Sequence, residues 1–188
     1  MIVRSQCHDF IARLQEPRRT IQVVAGPRQV GKTTMVKQAL QQLPLPSRFF
    51  NADGVDAADT EWIATRWEEV RALMRFNHYD EIVLAIDEIH KINNWSEQVK
   101  REWDSDTFHD INIKVVLLGS SRLLLKKGLT ESLAGRFEMI PMGHWSFAEM
   151  HEAFGWDINQ YIYYGGYPGS APYINNETRW RKYMRESI

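Results

Sequence analysis

Gly26-Pro27-Arg28-Gln29-Val30-Gly31-Lys32-Thr33-Thr34 has the spacing G-x-x-x-x-G-K-T, that of a phosphate-binding loop of the Walker A type. Such a loop wraps a polyphosphate with successive backbone N–H groups pointing inward, which calls for glycine where a side chain would block the approach. Gly26 and Gly31 stand at those positions. Lys32 is placed to bring a point charge to the β- and γ-phosphates and Thr33 a hydroxyl to Mg²⁺, while a helix beginning here adds the positive end of its dipole. The flanks agree. Thr20-Ile21-Gln22-Val23-Val24-Ala25 is a β-branched run of strand length, and Met35-Val36-Lys37-Gln38-Ala39-Leu40 has apolar residues at helical spacing. A glycine turn with a chance lysine would not need that order.

Upstream, Cys7, Phe10, Ile11 and Leu14 recur at helical spacing within residues 2–15, predicting a short amphipathic helix that the turn at Glu16-Pro17-Arg18-Arg19 ends. Arg18 and Arg19 are candidates for phosphate or adenine contact, a solvated turn being the simpler reading. Downstream, the helix after the loop stops at Pro44-Leu45-Pro46, residues 48–52 predict a second strand, and Thr60 is placed to cap a helix reaching about Phe76.

The second chemical landmark is Ile82-Val83-Leu84-Ala85-Ile86-Asp87-Glu88, an unbroken apolar run ending in two acids. A buried parallel strand delivering carboxylates to its C-terminal edge has this form, the Walker B pattern. Asp87 is the candidate to hold Mg²⁺ and Glu88 the candidate to orient the water that attacks the γ-phosphate. With Ile89 and His90 the text also matches a DExH box, but a helicase motor needs two lobes and this chain has room for one. Ile113–Leu118 predicts another buried strand, tipped by Gly119-Ser120-Ser121. Ser120 is the candidate group for sensing the γ-phosphate, with Ser121 next to it, although Gly-Ser-Ser is also a common turn. Arg136 directly precedes an apolar segment, residues 137–142, that predicts a fifth strand. It is a candidate arginine finger for its own site or a neighbour's; a surface salt bridge is the alternative.

Composition bounds the rest. The chain has 188 residues, enough for one cored α/β domain with a small appendage, and its net charge of -1 gives no global attraction to nucleic acid or anionic membrane. The single cysteine, Cys7, excludes an intramolecular disulfide and a multi-cysteine zinc site. With no signal peptide and no run of membrane-spanning length, a cytoplasmic location is expected. The seven tryptophans are spread along the chain, as core anchors are, and are not clustered as a base-stacking platform would be. No Asn-Lys-x-Asp guanine-reading motif occurs, which favours ATP over GTP.

Taken together and in order, the loop at 26–34, Asp87-Glu88-Ile89-His90-Lys91, Gly119-Ser120-Ser121, Glu131-Ser132-Leu133-Ala134-Gly135-Arg136-Phe137, Trp145-Ser146-Phe147-Ala148-Glu149 and Gly165-Gly166-Tyr167-Pro168 resemble the AAA-type ATPase domain (AAA_14) of prokaryotic ATPases that carry a DUF4143 domain. The resemblance implies an α/β P-loop NTPase of the additional-strand type with a parallel five-stranded sheet ordered 5-1-4-3-2. A core over 1–143 and a helical lid over 144–188 are expected, the latter leading toward a C-terminal domain that residues 179–188 only begin. It further implies binding of ATP with Mg²⁺, with hydrolysis by Lys32, Glu88, Ser120 and Arg136 around metal ligands Thr33 and Asp87. The nucleotide cycle would drive that C-terminal domain, a protein or nucleic-acid target, or a second copy of the chain. A nucleotide-loaded switch with negligible turnover, a DExH-like helicase fragment and a small-molecule kinase are the competing readings.

Overall fold

In the computed structural model, which describes residues 3–120 and 132–187, α1 (Gln6–Gln15) leads into β1 (Ile21–Gly26), the phosphate loop and α2 (Lys32–Gln42). There follow β2 (Ser47–Asn51), α3 (Trp62–Asn77), β3 (Ile82–Asp87), a 3₁₀ turn (Ile89–Lys91), α4 (Trp95–Phe108) and β4 (Ile113–Ser120). The chain resumes with β5 (Phe137–Pro141), α5 (Phe147–Phe154), α6 (Ile158–Tyr164), a 3₁₀ segment (Pro168–Tyr173) and α7 (Glu177–Ser187). The five strands form one sheet in the order β2-β3-β4-β1-β5 with every pair parallel, the expected order read from its other end.

Alternation along the strands explains why helices must cover both faces. Ile82, Leu84 and Ile86 of β3 pack with Ile113, Val115 and Leu117 of β4 against α3 and α4, through Ile63, Trp67, Trp95 and Trp103. The intervening Val83 and Ala85, with Val116 and Leu118, face α1 and α2 through Phe10, Leu14, Met35 and Val36. A strand buried on both faces has few polar positions to spare, hence the unbroken apolar run of β3 from Ile82 to Ile86. Trp67, Trp95 and Trp156 are among the largest fully buried side chains, as spread core anchors should be.

Boundaries differ from expectation in small ways with local causes. Strand β2 pairs only with β3 at the sheet's edge and runs one residue earlier than expected, because its register sets Asn51 opposite Asp87. Helix α3 starts after Glu61, with no side-chain cap from Thr60, and ends where His78 turns left-handed at φ 55°. The expected start of α1 at Ile2, and residues 123–128 and Glu131, lie outside the described residues.

Among the described residues no helix is long and apolar enough to cross a membrane. The C-terminal helices are punctuated by two reciprocal capping boxes, Ser146 with Glu149 at α5 and Asp157 with Gln160 at α6. Such boxes satisfy helix N–H groups that no backbone carbonyl can reach.

Candidate functional site

Three strands end together. Gly26 closes β1, Asp87 closes β3 and Ser120 closes β4, with Gly26 opposite Ser120 in register. All three therefore reach the carboxyl edge of the sheet, where open α/β sheets take their ligands. Ser121 lies outside the described residues.

The phosphate loop turns on two left-handed residues, Gln29 at φ 61° and Gly31 at φ 91°. Gly31 is the residue before α2, and its freedom lets the loop swing into the helix without a strained side chain. Gly26 is required for a different reason: a Cβ there would lie 2.0 Å from the Met142 carbonyl oxygen. Thus the first glycine admits the chain leaving β5, whose Met142 N–H donates to the Ala25 carbonyl at 2.8 Å.

Lys32 begins α2 and is buried, its ammonium donating to the carbonyls of Gly26 (3.1 Å) and Pro27 (2.6 Å). Burial lowers its pKa, and the nearby Arg28 adds to that, against the opposing pull of Glu88 and Asp87. The Thr33 hydroxyl donates to Asp87 Oδ2 at 2.6 Å, while Asp87 Oδ1 accepts the Glu88 N–H at 2.9 Å. Glu88 itself is left-handed at φ 52°. Its carboxyl pKa is raised, first by burial and then by Asp87, with Lys32 the main opposing influence. His90 is buried on the following turn, 3.4 Å from Glu88.

Lys32, Thr33 and Glu88 line a cleft of about 680 Å³ that Asp53, Lys91, Arg4 and Trp145 also border, and Asp87 adjoins it through its contact with Thr33. Two hard oxygens, the Thr33 hydroxyl and Asp87 carboxylate, sit side by side at one wall, a donor set suited to Mg²⁺. Mg²⁺ is ordinarily held by one or two such groups with phosphate oxygens and water completing its shell. The absence of any cluster of three or more His, Cys, Asp or Glu ligands among the described residues is compatible with that mode.

Two expectations need correction. Arg136 does not join this edge: its carbonyl accepts the Ile21 N–H at 2.7 Å, at the opposite end of β1 from Gly26. Five steps of a strand at about 3.3 Å each separate them by roughly 16 Å. Arg136 instead makes a two-pronged ion pair with Asp104, at 2.8 and 3.0 Å. A residue directly before a parallel strand must lie at the amino edge, so the signal was present in the sequence. Arg18 is likewise at that edge, stacked 3.5 Å over Trp103 and donating to the carbonyl of Ile113, the first residue of β4, at the end of the sheet opposite the phosphate loop.

Sequence patterns missed the groups that hold the loop from outside. Arg4 donates to the carbonyls of Val30 (2.7 Å) and Gly143 (3.2 Å) and to Glu149 Oε1 (2.7 Å). The Trp145 indole N–H also donates to the Val30 carbonyl, at 3.0 Å, and the Tyr183 hydroxyl hydrogen-bonds Gln29. Gly166 of the Gly-Gly-Tyr-Pro segment makes this seating possible, since a Cβ there would lie 2.1 Å from the Trp145 carbonyl oxygen.

No curated protein matches the chain. Among solved structures it is similar to the crystal structure of Saccharomyces cerevisiae RIF2, at a TM-score of 0.52 and 12% identity, over 79% of this chain and 58% of that one. The chain thus spans under two thirds of that relative, and the likeness shows the fold alone. Residues 18–151 match the AAA domain family AAA_14. That match takes in the phosphate loop, the acid pair and all five strands, and the chain belongs to this family of nucleotide-binding, AAA-like ATPase domains.

Proposed function

We propose that the protein binds ATP with Mg²⁺ and hydrolyses it. The observation that carries the proposal is the 2.6 Å contact between the Asp87 carboxylate and the hydroxyl of Thr33, which lines one cleft with Lys32 and Glu88. Gly26 to Thr34 would cradle the phosphates. Lys32, now resting on two loop carbonyls, would exchange them for the β- and γ-phosphate oxygens, and the anion would offset the burial that lowers its pKa. Thr33 and Asp87 would hold Mg²⁺, which when bound neutralises phosphate charge and polarises the γ-phosphoryl group. Glu88, with its carboxyl pKa raised, is suited to orient the attacking water and take its proton, while Ser120 at the tip of the next strand would sense the γ-phosphate. Phosphate release from ATP that requires Mg²⁺, and that falls about 10²- to 10⁴-fold in Glu88→Gln while ATP still binds, is the expected result. Turnover unchanged in Glu88→Gln would refute the hydrolytic reading.

One observation favours a second reading, a nucleotide-loaded switch with negligible turnover by itself. Arg136 stands across the sheet in its pair with Asp104, so it could serve only a neighbouring copy's nucleotide. An ATPase of this kind would act as part of an oligomer. In this reading, too, the nucleotide state moves the C-terminal helices, residues 144–188 serving as a lid on the core at 1–143. That movement would pass to a following DUF4143 domain or to another partner, in the cytoplasm.

A further inference from the structure

The Val30 carbonyl collects two donors from opposite ends of the chain: the Arg4 guanidinium at 2.7 Å and the Trp145 indole N–H at 3.0 Å. A trans peptide is planar, so the carbonyl of one residue and the N–H of the next point to opposite sides. Fixing the Val30 oxygen outside the loop therefore turns the Gly31 N–H toward its interior. Gly31 needs such restraint more than any other residue in the loop, because glycine has the largest backbone freedom to lose.

Both donors are themselves held. Arg4 is 3% exposed, and its remaining hydrogen bonds go to Glu149 on α5 and to the Gly143 carbonyl, where the core meets the C-terminal helices. Trp145 is seated by three contacts. Its N–H donates to the Gly166 carbonyl at 2.9 Å, its carbonyl accepts the Tyr161 hydroxyl at 2.9 Å, and its ring stacks on Phe154 at 6.1 Å. Every one of these partners belongs to the C-terminal helical segment. That segment touches the loop a second time, through Tyr183 and Gln29.

We propose that Arg4 and Trp145 are positioning residues of the phosphate site, aiming the Gly31 amide by clamping the Val30 carbonyl, and that this clamp makes phosphate affinity depend on how the C-terminal helices are seated. The inference rests on the reading of residues 26–34 as the polyphosphate site. Coupling is reciprocal: if seated helices improve ATP binding, bound ATP must favour seated helices by the same factor. The route from nucleotide to lid is then Gly31, Val30, Trp145 and Gly166, with Arg4 bracing the junction.

Trp145→Phe is the informative variant, because it keeps a ring against Phe154 and beneath the Arg4 guanidinium, which lies 5.3 Å from the Trp145 ring, while removing the donor to Val30. ATP affinity measured by calorimetry in the presence of Mg²⁺ should fall about 3- to 10-fold, the scale of one hydrogen bond, with KM rising more than kcat falls. Arg4→Lys, which keeps the charge facing Glu149 but cannot reach all three acceptors, should weaken binding in the same direction. Hydrogen exchange in residues 158–164 and 177–187 should slow when ATP is added to the unmodified protein, and slow less in Trp145→Phe. ATP affinity within twofold of the unmodified protein in both variants would overturn the clamp, as would exchange in the two helices that ignores ATP. Failure of the unmodified protein to bind ATP would instead remove the polyphosphate reading itself and the clamp with it.

Discussion

The two edges of the central sheet both carry buried charge, and they treat it in opposite ways. Toward the amino edge, charges are answered by opposite charges. Arg71 meets Glu102 and Asp106, the Trp67 indole N–H donates to Asp106 at 2.6 Å and Lys114 pairs with Glu81, while the more exposed Arg136 pairs with Asp104. At the carboxyl edge, Lys32 is hydrogen-bonded to backbone carbonyls, and Asp87 and Glu88 stand together with like charge. The pKa of Lys32 is lowered and that of Glu88 raised, so each is displaced toward its neutral form; burial also raises that of Asp106 at the amino edge, but there hydrogen bonds from Trp67 and Arg71 oppose it. The comparison teaches that buried charge alone does not mark a ligand site. A site is marked where the fold leaves charge incompletely answered, so that a bound anion and cation improve on what the protein provides.

Paired substitutions break the comparison most sharply. Asp106→Ala should cost about 2–4 kcal/mol of stability in a denaturant titration, because it leaves the buried Trp67 donor without its acceptor and takes one carboxylate from Arg71, which keeps Glu102, while ATP affinity stays near that of the unmodified protein. Lys32→Ala should do the reverse. Affinity for ATP, read by calorimetry, should drop about 100-fold, and stability should hold or rise, since the charge is disfavoured by its surroundings in the folded state. If Lys32→Ala destabilised the fold as Asp106→Ala does, the two edges would not differ in kind.

A smaller effect is expected for Arg136→Gln. An exposed ion pair of this sort contributes at most about 1 kcal/mol, so the thermal midpoint should move little. If Arg136 completes a neighbour's site, turnover should become insensitive to protein concentration in the variant, whereas in the unmodified protein it should climb as copies associate. Identical concentration dependence in both proteins would leave Arg136 a surface pair and nothing more.

The smallest effect concerns pH. Glu88 must be ionised to act as a base, and its folded pKa is raised above the ordinary 4.5, so activity should fall as pH drops through a value higher than a free carboxyl would give. Asp53 adds to that rise and, 3.0 Å from Lys91, offsets a cation that opposes it. Asp53→Asn removes the negative neighbour and unmasks Lys91, both of which favour ionised Glu88. The acid limb of the rate profile should therefore shift to lower pH, and an upward shift would contradict the assignment.

Much of the fold was legible along the chain. The run at β3 is apolar from Ile82 to Ile86 because both its faces are covered, β1 and β4 each admit one buried polar residue, Gln22 and Lys114, and the glycine-rich turn between strand and helix reads as a phosphate loop. The order of the strands needed the family resemblance, since parallel pairing leaves no local mark on the sequence. At Gly26 the structure adds a constraint that no local pattern carries: a Cβ there would meet the Met142 carbonyl, brought in by the chain leaving β5 beside β1.

The sequence by itself determined the chemistry of the carboxyl edge, because the residues that carry it lie within short stretches whose backbone conformation is set by immediate neighbours. Gly31, Lys32 and Thr33 are consecutive, as are Asp87 and Glu88. Only the tertiary structure decided which partners the longer side chains find. Arg4 meets Val30 across 26 residues, Trp145 meets the same carbonyl across 115, and Arg136 finds Asp104 across 32. A flexible arginine can satisfy its charge in any direction, so no local pattern specifies its partner, and it takes the packed fold to do so.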